Sequence, residues 1–367
     1  MTKSLRSPGW WMGIGLALFV SIVASHVATW FGVAVLGFAK SPISAIMVAI
    51  VLGMLVANTI KLPESIQTGL KFCTSAILRI GIILLGIRLS LMGAGQFTLV
   101  ALPFVIAAIA IGLFTVGLLG RYMGLSRQLS SLIAVGTSIC GCTAIVATAP
   151  LIKANASEVS YAVSCITIFG LVAMFIYPVL AHQAFATQPE LAGLFLGTSI
   201  HETAQVAGAG MIYEAQYNAP VALDIATITK LVRNLCMIVV IPLVCILYGP
   251  ERTKGDTSKV NYLAMMPWFI VGFVLMSAIR TVGDMGDKPF GILDLSQWNE
   301  IILFIKEVAE RCLLLAMAAV GLTSMLTGII KIGMRPFALG LFAAVLIGGV
   351  SFTLISLFAA DLIALLI

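Results

Sequence analysis

Eleven apolar runs, each near the roughly 20 residues that cross a bilayer as a helix, leave this chain very few ways to fold. They are Trp10–Val33, Ile43–Ile60, Gly69–Leu91, Phe97–Leu119, Leu129–Ile152, Ser160–Ala181, Leu191–Tyr213, Val221–Leu247, Tyr262–Val282, Ile302–Ile330 and Phe337–Leu365. Short polar or Gly/Pro-bearing connections separate them, and no period-two alternation of a membrane barrel appears. With 60% hydrophobic and 10% charged residues, the chain has far fewer charges than the quarter usual in soluble domains. The expected fold is therefore all-α, a polytopic membrane protein of about 11 transmembrane helices, with residues 1–367 forming one integral membrane domain. The run from Trp10 follows Lys3 and Arg6 without a small-residue cleavage pattern, so it reads as a retained first helix.

Loop charges set the expected orientation. With the N-terminus inside, the inner loops receive Lys3, Arg6, Lys61, Arg121, Arg127, Arg252, Lys254, Lys259, Lys331 and Arg335. The outer loops receive Lys40, Lys153 and Lys288, together with the acidic Asp284, Asp287, Asp294 and Glu300. N-terminus in, C-terminus out is the expectation. The net charge of +6 forms no basic stripe, so no nucleic-acid partner is expected. The seven cysteines fall almost entirely in apolar spans and read as packing residues. Cys140 and Cys142 form CxC with no matching ligand pair, so neither a metal nor a cofactor is expected.

Two stretches read like loops inside spans. LIAVGTSICGCTAIVATAP, from Leu132 to Pro150, crowds Gly136, Thr137, Ser138, Gly141 and Thr143 into its middle. LGTSIHETAQVAGAG, from Leu196 to Gly210, repeats GTSI with Thr198 and Ser199, then places His201 and Glu202 where the first has Cys140 and Gly141. In transporters, broken helices of this composition aim backbone groups at a substrate near the midplane. Gly136, Thr137, Ser138, Gly141, Thr143, Thr198, Ser199 and Gln205 are accordingly candidate substrate contacts. Internal symmetry is signalled less consistently. Val135–Ser138 echoes Val320–Ser324 five spans later, as inverted repeats require, giving boundaries near 41–182 and 190–365; Pro103-Phe104 and Pro336-Phe337 imply another register.

Ionisable residues inside spans cost roughly 2.5–3.5 kcal/mol each and are functional candidates by default. On the eighth span, Thr227, Lys230 and Asn234 share a helical face, with Arg233 adjacent. Hydroxyl, amide and two cations suit an oxyanion; alternatively Lys230 and Arg233 neutralise Glu202 and Asp224. Arg79, deep in the third span, needs a carboxylate of the protein or a substrate anion, whereas Arg88 lies near the outer end and can snorkel. Lys306–Glu310 and Glu307–Arg311 read as i, i+4 pairs. His201 and Glu202, with Asp224, are candidates for proton or ion coupling, because small environmental changes move such groups across neutral pH. A His–Glu pair that merely locks two helices is the structural alternative. An enzyme is not expected: His201-Glu-Thr-Ala-Gln205 breaks HExxH at its second ligand, and Ser138 has no G-x-S-x-G context.

At GTSICGCTAI and GTSIHETAQVAGAG the chain resembles the YeiH-type family of bacterial inner-membrane proteins, usually labelled sulfate exporters. The resemblance runs over nearly the whole length. It implies a distant relation to cation:proton antiporters and bile-acid-symporter-like carriers, whose fold has inverted five-helix repeats and two broken helices crossing at the midplane. Transferred here, the crossing pair would be Gly136–Thr143 and Gly321–Thr323, and a homodimer would be in keeping with related folds. The function implied is secondary transport of a small inorganic or organic anion, sulfate or a related sulfur oxyanion, coupled to a proton or sodium. A cation:proton antiporter using Glu202 and Asp224 is the alternative.

Overall fold

The computed structural model describes residues 7–35, 44–248, 268–285, 288–324 and 333–366. The loop charges Lys3, Arg6, Lys40, Arg252, Lys254, Lys259, Asp287 and Lys331 lie outside them. Among the described residues there is no strand, and six helical stretches of 25 to 32 residues are long and apolar enough to cross a membrane. These are Pro8–Val35, Glu64–Arg88, Leu91–Tyr122, Ser157–Phe185, Pro220–Val244 and Met334–Leu365; Ala45–Thr59 and Trp268–Gly283 are shorter apolar helices. The protein is an all-α polytopic membrane protein. Among the described residues, every apolar run found in the sequence falls on helical segments.

The helices group into two compact units, one of residues 1–95, 207–224 and 268–327, the other of 96–206, 225–267 and 328–367. In the first, α1 (Pro8–Trp30) packs on α2 (Ala45–Thr59) and α3 (Gln67–Phe72). A π-helical turn, Cys73–Ile77, joins α3 to α4 (Leu78–Leu85), and the 3-10 turn Gly86–Arg88 closes that span. The core is built largely of small residues, including Ala17, Ala24, Ala49, Ala318 and Ala319. Such residues let membrane helices approach closely where no hydrophobic effect drives them together. Gly53 and Gly321 are the limiting case. A Cβ on Gly321 would meet backbone atoms of Ile50 and Gly53 at or inside 3.0 Å, so neither position has room for a side chain. Just past the helix Trp268–Gly283, Asp284 accepts from Arg280 Nε at 2.5 Å and from Trp298 Nε1 at 2.9 Å. Burial works against charge at Asp284, but these two donors outweigh it and hold the carboxyl below its ordinary range.

The second unit contains α5 (Leu91–Tyr122) from residue 96 on, α6 (Arg127–Ser138), α7 (Cys142–Thr148), α8 (Ala156–Phe185) and α9 (Pro189–Ser199). It also contains the start of α10 (Thr203–Tyr217), most of α11 (Pro220–Leu235), and α12 (Met237–Tyr248). The unit's last helix begins at Met334. Ser126 caps α6 by accepting from Leu129 N at 3.1 Å and donates to Glu158, while Glu158 completes a capping box with Asn155 at the start of α8. Two helix starts are thereby tied by one carboxylate. Leu132, Ile133, Ile145, Ile152, Ile166 and Leu339 form a continuous buried core around α6 and α7. That core fixes where the two halves of the broken span lie.

Candidate functional site

The two GTSI copies end helices in the same way. α6 stops at Ser138 and α9 at Ser199, with Ile139 and Ile200 as C-caps whose N–H groups return to Val135 and Leu196. The chain leaves helical geometry at each Ile, at φ −118, ψ −99 in the first copy and φ −80, ψ 141 in the second. Helix ends leave their last carbonyls without intrahelical donors, and these ends carry partial negative charge. In a membrane such carbonyls need protein partners.

Lys230 and Arg233 of α11 supply them. Lys230 Nζ donates to the carbonyls of Ile139 and Ile200 at 2.9 Å each, and to that of His201. Arg233 Nε donates to Ser138 O at 2.8 Å, Nη1 to Thr198 O at 2.8 Å and Ile200 O at 3.0 Å, and Nη2 to Thr137 O. Both side chains are 0% exposed. The ammonium uses all three of its protons and the guanidinium four of its five. Among the described residues, neither cation is in a salt bridge with a carboxylate. The alternative that they pair directly with Glu202 and Asp224 is therefore corrected: their hydrogen bonds go to the carbonyls of two helix ends.

The break at 139–141 meets the break at 200–202, both being gathered on Lys230 and Arg233. Gly321–Thr323 closes the helix Leu295–Thr323, and the chain leaves helical geometry at Ser324, at φ −88, ψ 89. Like Val135–Ser138, the Val320–Ser324 echo holds the end of a helix.

Hydroxyls expected to face a substrate are mostly spent on their own helices. Thr137 donates to Ile133 O at 2.7 Å, Thr198 to Leu194 O at 2.8 Å and Ser199 to Phe195 O at 2.5 Å, the i−4 pattern that eases a helix end. Ser138 differs: its Oγ is buried and has no hydrogen-bond partner among the described residues. Gly136 is buried against Ile145 and Ile166, a packing role. Thr143 is exposed, and Cys142, Glu202 and Thr203 are half-buried, so these four form the open side of the cluster.

Glu202 turns toward the first break. Its Oε1 accepts from Cys142 N at 3.2 Å, and its own N–H donates to Gln205 Oε1 at 3.2 Å. Gln205 also donates to Thr167 O at 3.1 Å, which locks it against α8. Gly141 lies beside Glu202 at φ +70, ψ −131, a conformation in practice restricted to glycine. Gly141→Ala is expected to cost roughly 1–3 kcal/mol, since its methyl group would also strike the Glu202 side chain. A fall in the melting temperature of the purified variant is the check. His201 is fully buried, and neither ring nitrogen makes a hydrogen bond of good geometry. No His201–Glu202 hydrogen bond forms, which corrects the locked-pair alternative.

Asp224 and Arg79 are not part of this cluster. Asp224 accepts from Arg88 Nε at 2.7 Å in the other unit, where Arg88 is also bidentate to Glu214 at 2.9 and 3.2 Å. Arg88 does not snorkel; its side chain is 5% exposed. Glu310 stands 3.9 Å from Arg88, while Glu307–Arg311 forms its expected surface pair at 2.5 Å. Arg79 is exposed on α4, with no ion pair among the described residues. Thr167 and Thr203 went unnoticed in the sequence. Thr203 Oγ1 accepts from Asn234 at 3.1 Å, and its place directly after His-Glu was the only available signal.

A family model described as Conserved hypothetical protein 698 matches residues 13–340. The UPF0324 inner membrane protein YeiH of Salmonella typhi is 33% identical over 358 residues, covering 94% of each chain. The chain belongs to the YeiH-type UPF0324 family. YeiH of Escherichia coli (strain K12) is likewise 33% identical, over 348 residues and 91% of each chain. A UPF0324 membrane protein of Bacillus anthracis is 30% identical over 352 residues, 95% of this chain and 94% of its own. These UPF0324 relatives are named as membrane proteins, two of them as inner-membrane proteins, in keeping with the apolar helices described above.

Proposed function

We propose that this chain is a secondary transporter of the bacterial inner membrane that carries a small anion, a sulfur oxyanion being the class implied by its resemblance. One observation carries the reading: two fully buried cations hold two broken helices together without a paired carboxylate. Lys230 and Arg233 bring two positive charges, and among the described residues Glu202 is the one carboxylate beside the breaks. In low dielectric an excess of one sign attracts the opposite charge and repels its own. The carbonyls of both breaks, which would otherwise ligate an alkali cation, already hold an ammonium and a guanidinium. This favours an anion over a cation as cargo.

An arriving anion would meet Thr143, Thr203 and Glu202 on the open side rather than Lys230 and Arg233 directly. Glu202 must then swing away or be neutralised as cargo arrives; coupling to a proton or sodium is what the resemblance implies. A transport role needs no catalytic residue or cofactor. The loop-charge bias supports a cytoplasmic N-terminus and an outer C-terminus, and the resemblance supports a homodimer.

Thermal stabilisation of the detergent-purified protein by sulfate, sulfite, small sulfonates, carboxylates, sodium and lithium, at pH 6 and pH 8, tests this. A ligand bound only by the folded state raises the melting temperature by mass action. At least one oxyanion is expected to raise it, and Glu202→Gln, which removes a negative charge from the open side, is expected to enlarge that rise. A rise with sodium or lithium alone would overturn the anion reading and favour a cation:proton antiporter.

A further inference from the structure

Around the Lys230 ammonium three backbone carbonyls converge: Ile139 and Ile200 at 2.9 Å, and His201. None belongs to a continuing helix. Each is free because the chain breaks at that residue, and all three turn toward one buried point. Oxygen dipoles gathered in a dry interior are how proteins replace the water shell of a small monovalent cation. An ammonium on a side chain is a compact point charge with three donors, close in character to a free ammonium ion; a guanidinium is a planar fork. The Arg233 fork next to it grips four carbonyls in fixed directions and has no such likeness.

We propose that the Lys230 ammonium is a built-in monovalent cation filling a carbonyl cation site, and that removing the side chain opens this site to ammonium, sodium or potassium ions from solution. The native protein then needs no free cation to hold its two breaks together. Shortening Lys230 to alanine or glycine takes away the charge and most of the side-chain volume while leaving the three backbone oxygens in place. Methionine removes the charge but keeps the stem, so it blocks the site it would otherwise vacate.

The test uses the full-length protein in detergent, with native, Lys230→Ala, Lys230→Gly and Lys230→Met melted in choline chloride and in ammonium, sodium or potassium chloride at equal ionic strength. In at least one of the two shortened variants, a small cation at about 100 mM is expected to raise the melting temperature by about 5 °C over choline, saturably. Native protein and Lys230→Met are expected to show no such rise. The proposal is overturned by any of three results: no saturable rise in either shortened variant, an equal rise in native protein, or no folded protein from either variant even when purified in ammonium. The outcome is separable from the cargo. Rescue without any oxyanion response leaves the built-in cation and removes the anion reading; an oxyanion response without rescue does the reverse.

Discussion

Replacing Arg88 by methionine is expected to destabilise the protein by about 3–5 kcal/mol, the range seen when one partner of a buried ion pair is removed. Arg88 lies at the centre of a network within one compact unit. Its Nε donates to Asp224 at 2.7 Å, its two terminal nitrogens clasp Glu214 at 2.9 and 3.2 Å, and Glu310 stands at 3.9 Å. Arg88 and Asp224 side chains are 5% and 13% exposed, so water cannot take over the guanidinium's role. Lys306 is near enough to interact with Asp224 and Glu214, but it forms no direct salt bridge among the described residues. Without Arg88, three carboxylates face one ammonium. Loss of melting temperature and of monodisperse yield is the measure. Asp224→Asn combined with Glu214→Gln in the Arg88→Met background is expected to recover much of both, because the damage comes from unpaired charge rather than lost packing. Arg311→Met supplies the contrast. Its partner Glu307 is 58% exposed and Arg311 itself 76%, so the expected cost is under about 1 kcal/mol.

The Arg88 network shows where sequence reasoning ended. Arg88 is 126 positions from Glu214 and 136 from Asp224, and no periodicity reports a contact of that separation. Near the end of its span, a lone arginine reads as an interfacial residue, and only the fold reveals a membrane-buried partner set. Span positions were legible because burial in lipid demands a long apolar run whatever the tertiary packing. The repeated GTSI was legible as a break because small and hydroxyl residues are a poor choice for a helix that only faces lipid. What supports each break was not. Lys230 and Arg233 stood out as costly intramembrane cations, but their partners are main-chain carbonyls, and a carbonyl has no letter in the sequence. Glu202 and Asp224 are the visible negative groups, so pairing with them stands in the sequence only as the alternative to an oxyanion. The real negative charge is the ends of two helices.

That difference governs Arg233. A substrate ligand of this kind could be replaced by methionine with loss of cargo binding and little loss of folding. A residue holding two helix ends cannot. In Arg233→Met, Thr137, Ser138 and Thr198 lose the side-chain donor that now serves their carbonyls, while Ile200 keeps Lys230. A buried acceptor left without a partner costs about 1–3 kcal/mol, so three of them bring the expected loss to about 3–9 kcal/mol. That is comparable with the 5–15 kcal/mol of a typical folded domain. Arg233→Met is expected to give little folded protein, or a strongly lowered melting temperature with or without anion. Arg233→Lys keeps the charge but offers three protons at one point where the guanidinium uses four spread over a fork, so its melting temperature is expected to fall between those of Met and native. A methionine variant that melts like the native protein, yet no longer responds to any oxyanion, would return Arg233 to the role of a direct substrate ligand and leave the two breaks without their clamp.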